Sequence, residues 1–273
     1  MYAASSREAL EGARVELETA LRGSSAPGTD AVTVGDELLS VAETVNDNRS
    51  LRTALADSAT AADERAKIAD TVLTGKVSDT TRAVVSSAAA RNWSSDADLH
   101  RALQSLGIEA LLFAAKETGR IDTVEEELFR LARIVKGDNT LEQALSDRTR
   151  SAADRFGLLR KLIDGKVDTV TEKLAGYGVG RTDVQPGDAI DELSQLAAAS
   201  NGRKVAYVTS AGELSADQRT ALSAKLAAIY DAPVTLHVDI DPELLGGVVV
   251  RVGDERIDGS ISGKIATLRS GLR

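Results

Sequence analysis

The chain has no cysteine, which removes disulfides, thiolate metal sites and cysteine nucleophiles in one step. Histidine is nearly as scarce. With only His100 and His237, a zinc site or a Ser-His-Asp constellation has almost no material to draw on. Aromatic residues make up 3% of the 273 positions, so closely packed, alanine-rich helices are favoured over large aromatic pockets. Positive charge is in deficit. Against 42 Asp+Glu stand 33 Lys+Arg, leaving a formal net charge of -9, the wrong sign for nonspecific nucleic-acid binding. No apolar run approaches the ~20 residues of a membrane span. Met1–Leu21 has neither the basic start nor the apolar stretch of a secretory signal. The expectation is a soluble, intracellular protein that reaches a membrane only through partners. What is present is 42% hydrophobic residues, enough for ordinary cores, in a length that suggests about two domains.

From Ser5 to about Leu196 the apolar residues recur at helical spacing. Val34, Leu38, Val41 and Val45 are separated by four, three and four positions, and Val124, Leu128, Leu131 and Val135 repeat this 90 residues on (124 − 34 = 90). The offset continues without a gap. Leu51, Ala54, Leu55 and Asp57 fall on Leu141, Ala144, Leu145 and Asp147, and Arg65 falls on Arg155. Gly75-Lys76-Val77 falls on Gly165-Lys166-Val167, Arg91 on Arg181, and Leu103 and Leu106 on Leu193 and Leu196. A repeat of this length is a compact domain rather than a solenoid unit of ~20–50 residues.

Each copy supplies six helical segments. Those of the first lie near Arg7–Arg22, Val34–Asp47, Ser50–Asp57, Ala61–Leu73, Asp79–Ala90 and Asp96–Ser105. Those of the second lie near Leu103–Thr118, Ile121–Val135, Leu141–Ser146, Ala152–Ile163, Thr169–Ala175 and Ala189–Ala198. Gly23–Thr33, rich in Ser, Pro and Gly, reads as a loop, and Gly176–Gly187, with its glycines and Pro186, as the least ordered part of the second copy. From Asp98 to Lys116 only Gly107 interrupts, at ~1 kcal/mol, so one long helix is expected to join the copies.

Composition changes after Ser200-Asn201-Gly202. Val205–Thr209 is a β-branched strand candidate, and Ser215 with Gln218 forms a capping box opening a helix whose face is Leu222, Leu226 and Ile229. Val234, Leu236, Val238 and Ile240 then alternate with Thr235, His237 and Asp239, the period of a half-buried strand. Asp241-Pro242 ends it, because proline has no N–H to donate. Gly246-Gly247 introduce the apolar run Val248–Val252. Gly253-Asp254 suits a two-residue hairpin turn, and Glu255–Ile257 returns as a short strand. Ser260 can cap a terminal helix with Ile261, Ile265, Leu268 and Leu272 on one face. The expected fold is α+β: two repeated six-helix bundles at 1–105 and 106–200, then a small α/β domain with a mixed sheet at 201–273.

Within that last region Asp241, Pro242, Leu245, Gly246, Gly247, Gly253, Asp254, Ile257, Asp258 and Ser260 stand in a fixed order over about twenty residues. This order resembles the C-terminal signature of the delta subunit of F-type ATP synthases, the family that includes the mitochondrial oligomycin-sensitivity-conferring protein. Leu112-Phe113-Ala114-Ala115-Lys116-Glu117, Gly119, Ile121-Asp122 and Val124 are similar to the first two helices of the family's helical domain. Val208-Thr209-Ser210-Ala211, with Leu214-Ser215 and Gln218, is similar to the start of its C-terminal domain. The chain resembles the long members, with an extra helical copy ahead of the ordinary subunit. The resemblance implies a non-catalytic stator subunit, one copy per complex, on the cytoplasmic face of the bacterial cell membrane. It would join N-terminal helices of the alpha subunits to the peripheral-stalk b subunit. The residues implied for gripping the alpha-subunit helices are Phe113 and Ala114 on the first helix and Val170 and Leu174 on the fifth; any one of them is also well explained as core.

Other features have plainer explanations. Gly259–Lys264 has three residues between its glycines where a phosphate loop has four, and Ile265 stands where Ser or Thr should hold magnesium. Gly176, Gly178 and Gly180 follow no strand, so they support no dinucleotide site. Asp241, Asp254 and Asp258 suit turns and caps. His237 falls on the polar side of its strand and is expected to face solvent. The run Glu125-Glu126-Glu127, early in its helix, is expected to be a solvated face, and Trp93 an interhelical packing residue. Asn48-Arg49-Ser50 and Asn92-Trp93-Ser94 match the glycosylation sequon but carry no weight without a secretory signal. No catalytic constellation, cofactor site or metal site is supported. The rival readings are a ligand-binding α/β protein and a helical adaptor unrelated to energy coupling; only the C-terminal signature separates the adaptor from the stator subunit.

Overall fold

The computed structural model describes residues 3–242, 244, 246–253 and 255–260. The helical spacing of the first two-thirds is realised as α1 (Ala4–Arg22), α2 (Pro27–Asp47), α3 (Arg49–Ala56), α4 (Ala62–Leu73), α5 (Asp79–Ala90) and α6 (Asp96–Glu117). These are followed by α7 (Ile121–Gly137), α8 (Asn139–Ser146), α9 (Ala152–Ile163), α10 (Thr169–Gly180) and α11 (Pro186–Ser200). Short polar side chains start several of them: Asn48 accepts from the Leu51 N–H, Ser78 from Thr81, Asp138 from Thr140 and Leu141, and Asp168 from Val170. Each such bond satisfies an otherwise orphaned N–H of the first turn. The expected long helix is α6, unbroken through Gly107. Gly107 has a packing role: a Cβ there would sit 2.8 Å from Leu39 Cγ and 3.1 Å from the Gly35 carbonyl of α2. Small residues on both sides let the two helices cross closely.

Two sequence expectations about loops are corrected. Gly23–Thr33 is not a loop throughout, because only Gly23–Ala26 link α1 to α2. Pro27 takes the first helical position, where its fixed φ suits the helix and its missing N–H costs nothing. Ser24 Oγ bonds the Asp30 carboxylate and accepts from Ala26 N, closing the turn. Nor is Gly176–Gly187 irregular throughout, because only Arg181–Gln185 link α10 to α11. Helix α10 continues to Gly180, Phe156 packs over Gly176, Ile190 and Leu193 pack over Gly178, and Pro186 opens α11. The glycines there are small because neighbouring side chains lie on them.

One apolar cluster runs from Ala9 to Ala197 through the helices, with α2 on α6 and α7 on α11 as the most extensive helix pairs. Trp93 lies in it as expected, 5% exposed, its Nε1 donating to the Ala88 carbonyl at 2.8 Å. The remainder is α+β: β1 (Lys204–Ser210), α12 (Ala216–Tyr230), β2 (Val234–Ile240), β3 (Val248–Val252) and β4 (Glu255–Asp258). The sheet is mixed, in the order β2-β1-β3-β4. Strands β1 and β2 are parallel across the α12 crossover, and the other pairs are antiparallel. The capping box forms, Ser215 Oγ accepting from Gln218 N and the Gln218 side chain accepting from Ser215 N. A separate core of Ala206, Val208, Leu226, Val234, Val250 and Val252 lies between the sheet and α12. The expected terminal helix from Ile261 lies outside the described residues.

Candidate interaction surfaces and the contact between sheet and helices

The signature residues build a turn rather than a reaction centre. The Asp241 N–H continues the strand by donating to the Ser210 carbonyl at 2.8 Å, and its carbonyl accepts from Leu244 N, so the chain bends at Pro242. Gly247, at φ 81, lies where a Cβ would come 2.5 Å from the Gly259 carbonyl oxygen, so both its backbone angle and its neighbour require glycine. Gly253, at φ 58, begins the two-residue turn that pairs Val252 with Glu255. Ile257 is partly exposed on β4. Asp258 Oδ1 accepts from Ser260 Oγ at 2.6 Å and from its N–H at 3.0 Å, which holds the carboxyl below its usual range. Leu245 and Asp254 lie outside the described residues.

Of the four residues implied for gripping the alpha subunits, three are closed off. Ala114, Val170 and Leu174 are 1%, 4% and 0% exposed, and the α2 backbone at Gly28 approaches the Ala114 carbonyl. Phe113 is half-buried on a different side of α6, with the Arg22 guanidinium 5.8 Å from its ring centre. An open groove does run beside α10. Leu39 and Glu43 of α2, Phe156 of α9 and Lys173, Gly176 and Tyr177 of α10 line a space of about 580 Å³. Lys173 bridges it to Asp36 at 2.8 Å. Burial pushes the Tyr177 phenol up to about 12.

The sheet has a second face, and it packs on the helices. Tyr207 and His237, opposite each other in register on β1 and β2, point to α7 and α11. His237 is 1% exposed. Its Nε2 lies 2.7 Å from Glu125 Oε1, and its ring stacks on Phe129 with centroids 3.6 Å apart. Tyr207 meets the same imidazole edge-on at 5.4 Å and donates to Asp191 at 3.1 Å; burial, then the Asp191 charge, raises its phenol. The expectation that His237 faces solvent is therefore wrong, and so is that of a solvated face at Glu125–Glu127. Alternation alone implies one wet face, whereas helices cover both, α12 on one side and α7 and α11 on the other. Glu127, half-buried, accepts from the Asp168 N–H and the Thr171 hydroxyl, and Glu126, also half-buried, pairs with Arg130. No local sequence signal marks this contact, because Phe129, Tyr207 and His237 are far apart in the chain and meet only in the fold.

Among the described residues no helix is long and apolar enough to cross a membrane, and no group of three or more His, Asp or Glu is placed to hold a metal ion. The profile of the ATP synthase delta (OSCP) subunit matches residues 109–272, more than half of the chain. The chain belongs to that family. It is 51% identical to the ATP synthase subunit delta of Rhodococcus opacus (strain B4), an alignment covering 100% of this chain and 99% of that one. It is 48% identical to the corresponding subunit of Nocardia farcinica (strain IFM 10152), over 100% of both. A solved chain from the Toxoplasma gondii mitochondrial ATP synthase hexamer aligns at 16% identity, covering 60% of this chain and 94% of that one. Its TM-score of 0.37 is too low to add to the argument. Family membership makes this a structural stator subunit of the F-type ATP synthase, associated with the alpha subunits and the peripheral stalk, and not a catalytic one. The rival adaptor and ligand-binding readings are not favoured.

Proposed function

We propose that the chain performs this stator role as two stacked six-helix units, residues 1–105 and 106–200, with the α/β domain at 201–273 as the stalk-side end. The observation that supports the duplication is a set of polar contacts repeated 90 residues apart. Glu37 accepts from the Ser78 N–H and the Thr81 hydroxyl, as Glu127 does from Asp168 and Thr171. Arg65 is buried and donates to the Ala89, Ala90 and Arg91 carbonyls ending α5; Arg155 donates to the Gly180 and Arg181 carbonyls ending α10. Such contacts are independent of the apolar pattern that first marked the repeat.

The alpha-subunit helix would lie in the groove beside α10. Val170 and Leu174, buried on α10, would support it, with Lys173 and Tyr177 as the contact surface and Ala114 part of the bundle core. An amphipathic helix in such a groove buries its apolar face against the bundle. The α/β domain would hold the b subunit, on the cytoplasmic face of the bacterial membrane. Stator work needs a large, slowly dissociating interface rather than a reactive side chain.

The test is co-sedimentation of the full chain with ATP synthase heads stripped of this subunit, together with ATP-driven proton pumping in stripped vesicles. One chain per head and restored pumping are expected. Lys173→Glu with Tyr177→Glu should weaken binding by roughly tenfold or more, about 1.4 kcal/mol. Undiminished binding would move the head contact elsewhere on the bundle, and no binding of the parent at micromolar concentration would leave the adaptor reading ahead.

A further inference from the structure

Two folded regions joined by a short segment can swing unless something across their interface fixes the angle. Here the joint is Asn201-Gly202-Arg203, between the end of α11 and the start of β1. Several contacts cross near it. Asn201 Nδ2 donates to Asp122 at 2.9 Å, Arg203 pairs with the same exposed carboxylate, and Arg133 bonds Asp239 and the Val238 carbonyl. All of these are open to solvent, where such pairs hold weakly.

The Glu125–His237 bond differs in kind. The two side chains are 5% and 1% exposed, and the ring is clamped between Phe129 and Tyr207. These two largely buried groups bond each other only when the sheet sits on α7 at this angle. A tilt that separates them takes the partner from a buried imidazole and a buried carboxylate oxygen. Among the described residues, Nδ1 of the imidazole has no partner. A phenylalanine at position 237 could stack on Phe129 without that cost, and an apolar residue at 125 would need no partner. Polar groups retained where apolar ones would pack more cheaply point to orientation rather than stability as their role.

We propose that Glu125 and His237 form a latch that fixes the angle of the α/β domain on the helical region, so that the two turn as one body. For a stator subunit, the consequence is that load applied at the α/β domain reaches the helices without being absorbed by bending at 201–203. That consequence rests on the stator function; the latch itself rests on the geometry.

The absence of cysteine allows two to be introduced without background, Lys161→Cys on α9 and Ala224→Cys on α12, both exposed. Spin labels there report the angle between the two regions as a distance distribution by pulsed electron paramagnetic resonance. The full-length parent is expected to give one narrow distribution. The double variant Glu125→Leu with His237→Phe is expected to keep its circular dichroism and melting midpoint while its distribution becomes roughly twofold wider. Glu125→Gln keeps the volume and an oxygen that can accept from Nε2, and it should stay as narrow as the parent. A broad parent distribution, or a double variant as narrow as the parent, overturns the latch. The parent measurement does so even if a variant fails to fold. Broadening in Glu125→Gln would overturn the hydrogen bond as its cause. Binding to stripped heads is read on the same labelled chains. Failure of the parent to bind removes the stator consequence and leaves the latch to its distances; normal binding with an unbroadened double variant removes the latch alone.

Discussion

Helices α2 and α7 carry the same apolar stripe and close it against corresponding helices, α6 and α11, but the residues beside the stripe meet different neighbours. On α2, position 35 is glycine and lies under α6, where a Cβ would come 2.9 Å from the Gly107 carbonyl and 2.7 Å from Leu111 Cγ. On α7, the position 90 residues later is Glu125, and the imidazole of His237 covers it. Leu39 beside Gly107 corresponds to Phe129 stacked on His237. The difference follows from what the chain does next. After Ala110 it continues as helix along α2, and backbone passes close by; after Ser200, the corresponding residue, it turns into a sheet that brings a polar ring. A helix that passes closely needs a glycine, and a strand that presents an imidazole needs a carboxylate.

The most disruptive way to test that contrast is to remove the ring. His237→Ala leaves Glu125 buried and unpaired, and should cost about 3–5 kcal/mol in urea unfolding, the usual size for breaking a buried pair from one side. A loss below about 1 kcal/mol would mean that Glu125 reaches water, as surface pairs do, and the two regions would then differ less than their packing suggests.

A second comparison sets the two buried arginines against each other. Arg65 donates to the Ala89, Ala90 and Arg91 carbonyls at 2.8–3.1 Å and also to the Asp57 and Thr60 carbonyls. Arg155 has one close bond, 2.9 Å to Gly180, and two of 3.4 and 3.5 Å. Both arginines satisfy carbonyls at a helix C-terminus, where cations are also favoured by the dipole. Replacement by Met keeps the stem and orphans the carbonyls. Arg65→Met should therefore cost about 3 kcal/mol and Arg155→Met about half of that. Equal losses would show that the longer distances around Arg155 have no energetic meaning.

Helix periodicity and capping residues were enough to locate every helix through α12, because both signals are local. The mixed sheet was readable for the same reason, from β-branched runs separated by Asp241-Pro242 and Gly253-Asp254. The two loop expectations fail for different reasons: Pro27 opens a helix instead of breaking one, and the glycines before Pro186 are packing residues rather than breakers. At Gly176 and Gly178 the residue is small to admit Phe156, Ile190 and Leu193, and those neighbours are remote enough in sequence that no local rule names them. His237 failed for a related reason. Alternation shows that a strand has two faces, but only the tertiary packing shows that the second face meets α7. The groove beside α10 was out of reach too, since Val170 and Leu174 announced an apolar face and its burial depends on how the neighbouring helices pack.

Gly107 gives the third test. Gly107→Val would push a branched side chain into Leu39 and the Gly35 carbonyl, and the cost should be about 2 kcal/mol after the gain in helix propensity is subtracted. At the corresponding position Ala197 is already fully buried, so Ala197→Gly should lose only about 1 kcal/mol, through backbone entropy and the missing methyl. If Gly107→Val is tolerated, α2 and α6 can separate, and glycine at this crossing is a convenience.

The smallest effect expected is a pH dependence confined to the first half. His100 is half-buried, and its pKa is lowered below 6.5 first by burial, then by Arg52 and Arg101, with Asp47 opposing. The residue 90 positions on is Ile190, fully buried and unable to titrate. A histidine with a lowered folded pKa binds fewer protons in the folded than in the unfolded chain, so stability rises with pH in that window. The contribution is therefore intact above pH 6.5 and is lost as pH falls through 6.5 toward the lower folded value, after which it is constant. Partial exposure screens the charge and keeps the change small. Melting midpoints from pH 8 down to pH 5 should fall slightly more for the parent than for His100→Gln, and the two curves should run parallel above pH 7. Curves that stay parallel throughout would mean that water reaches the His100 ring as freely in the folded chain as in the unfolded one.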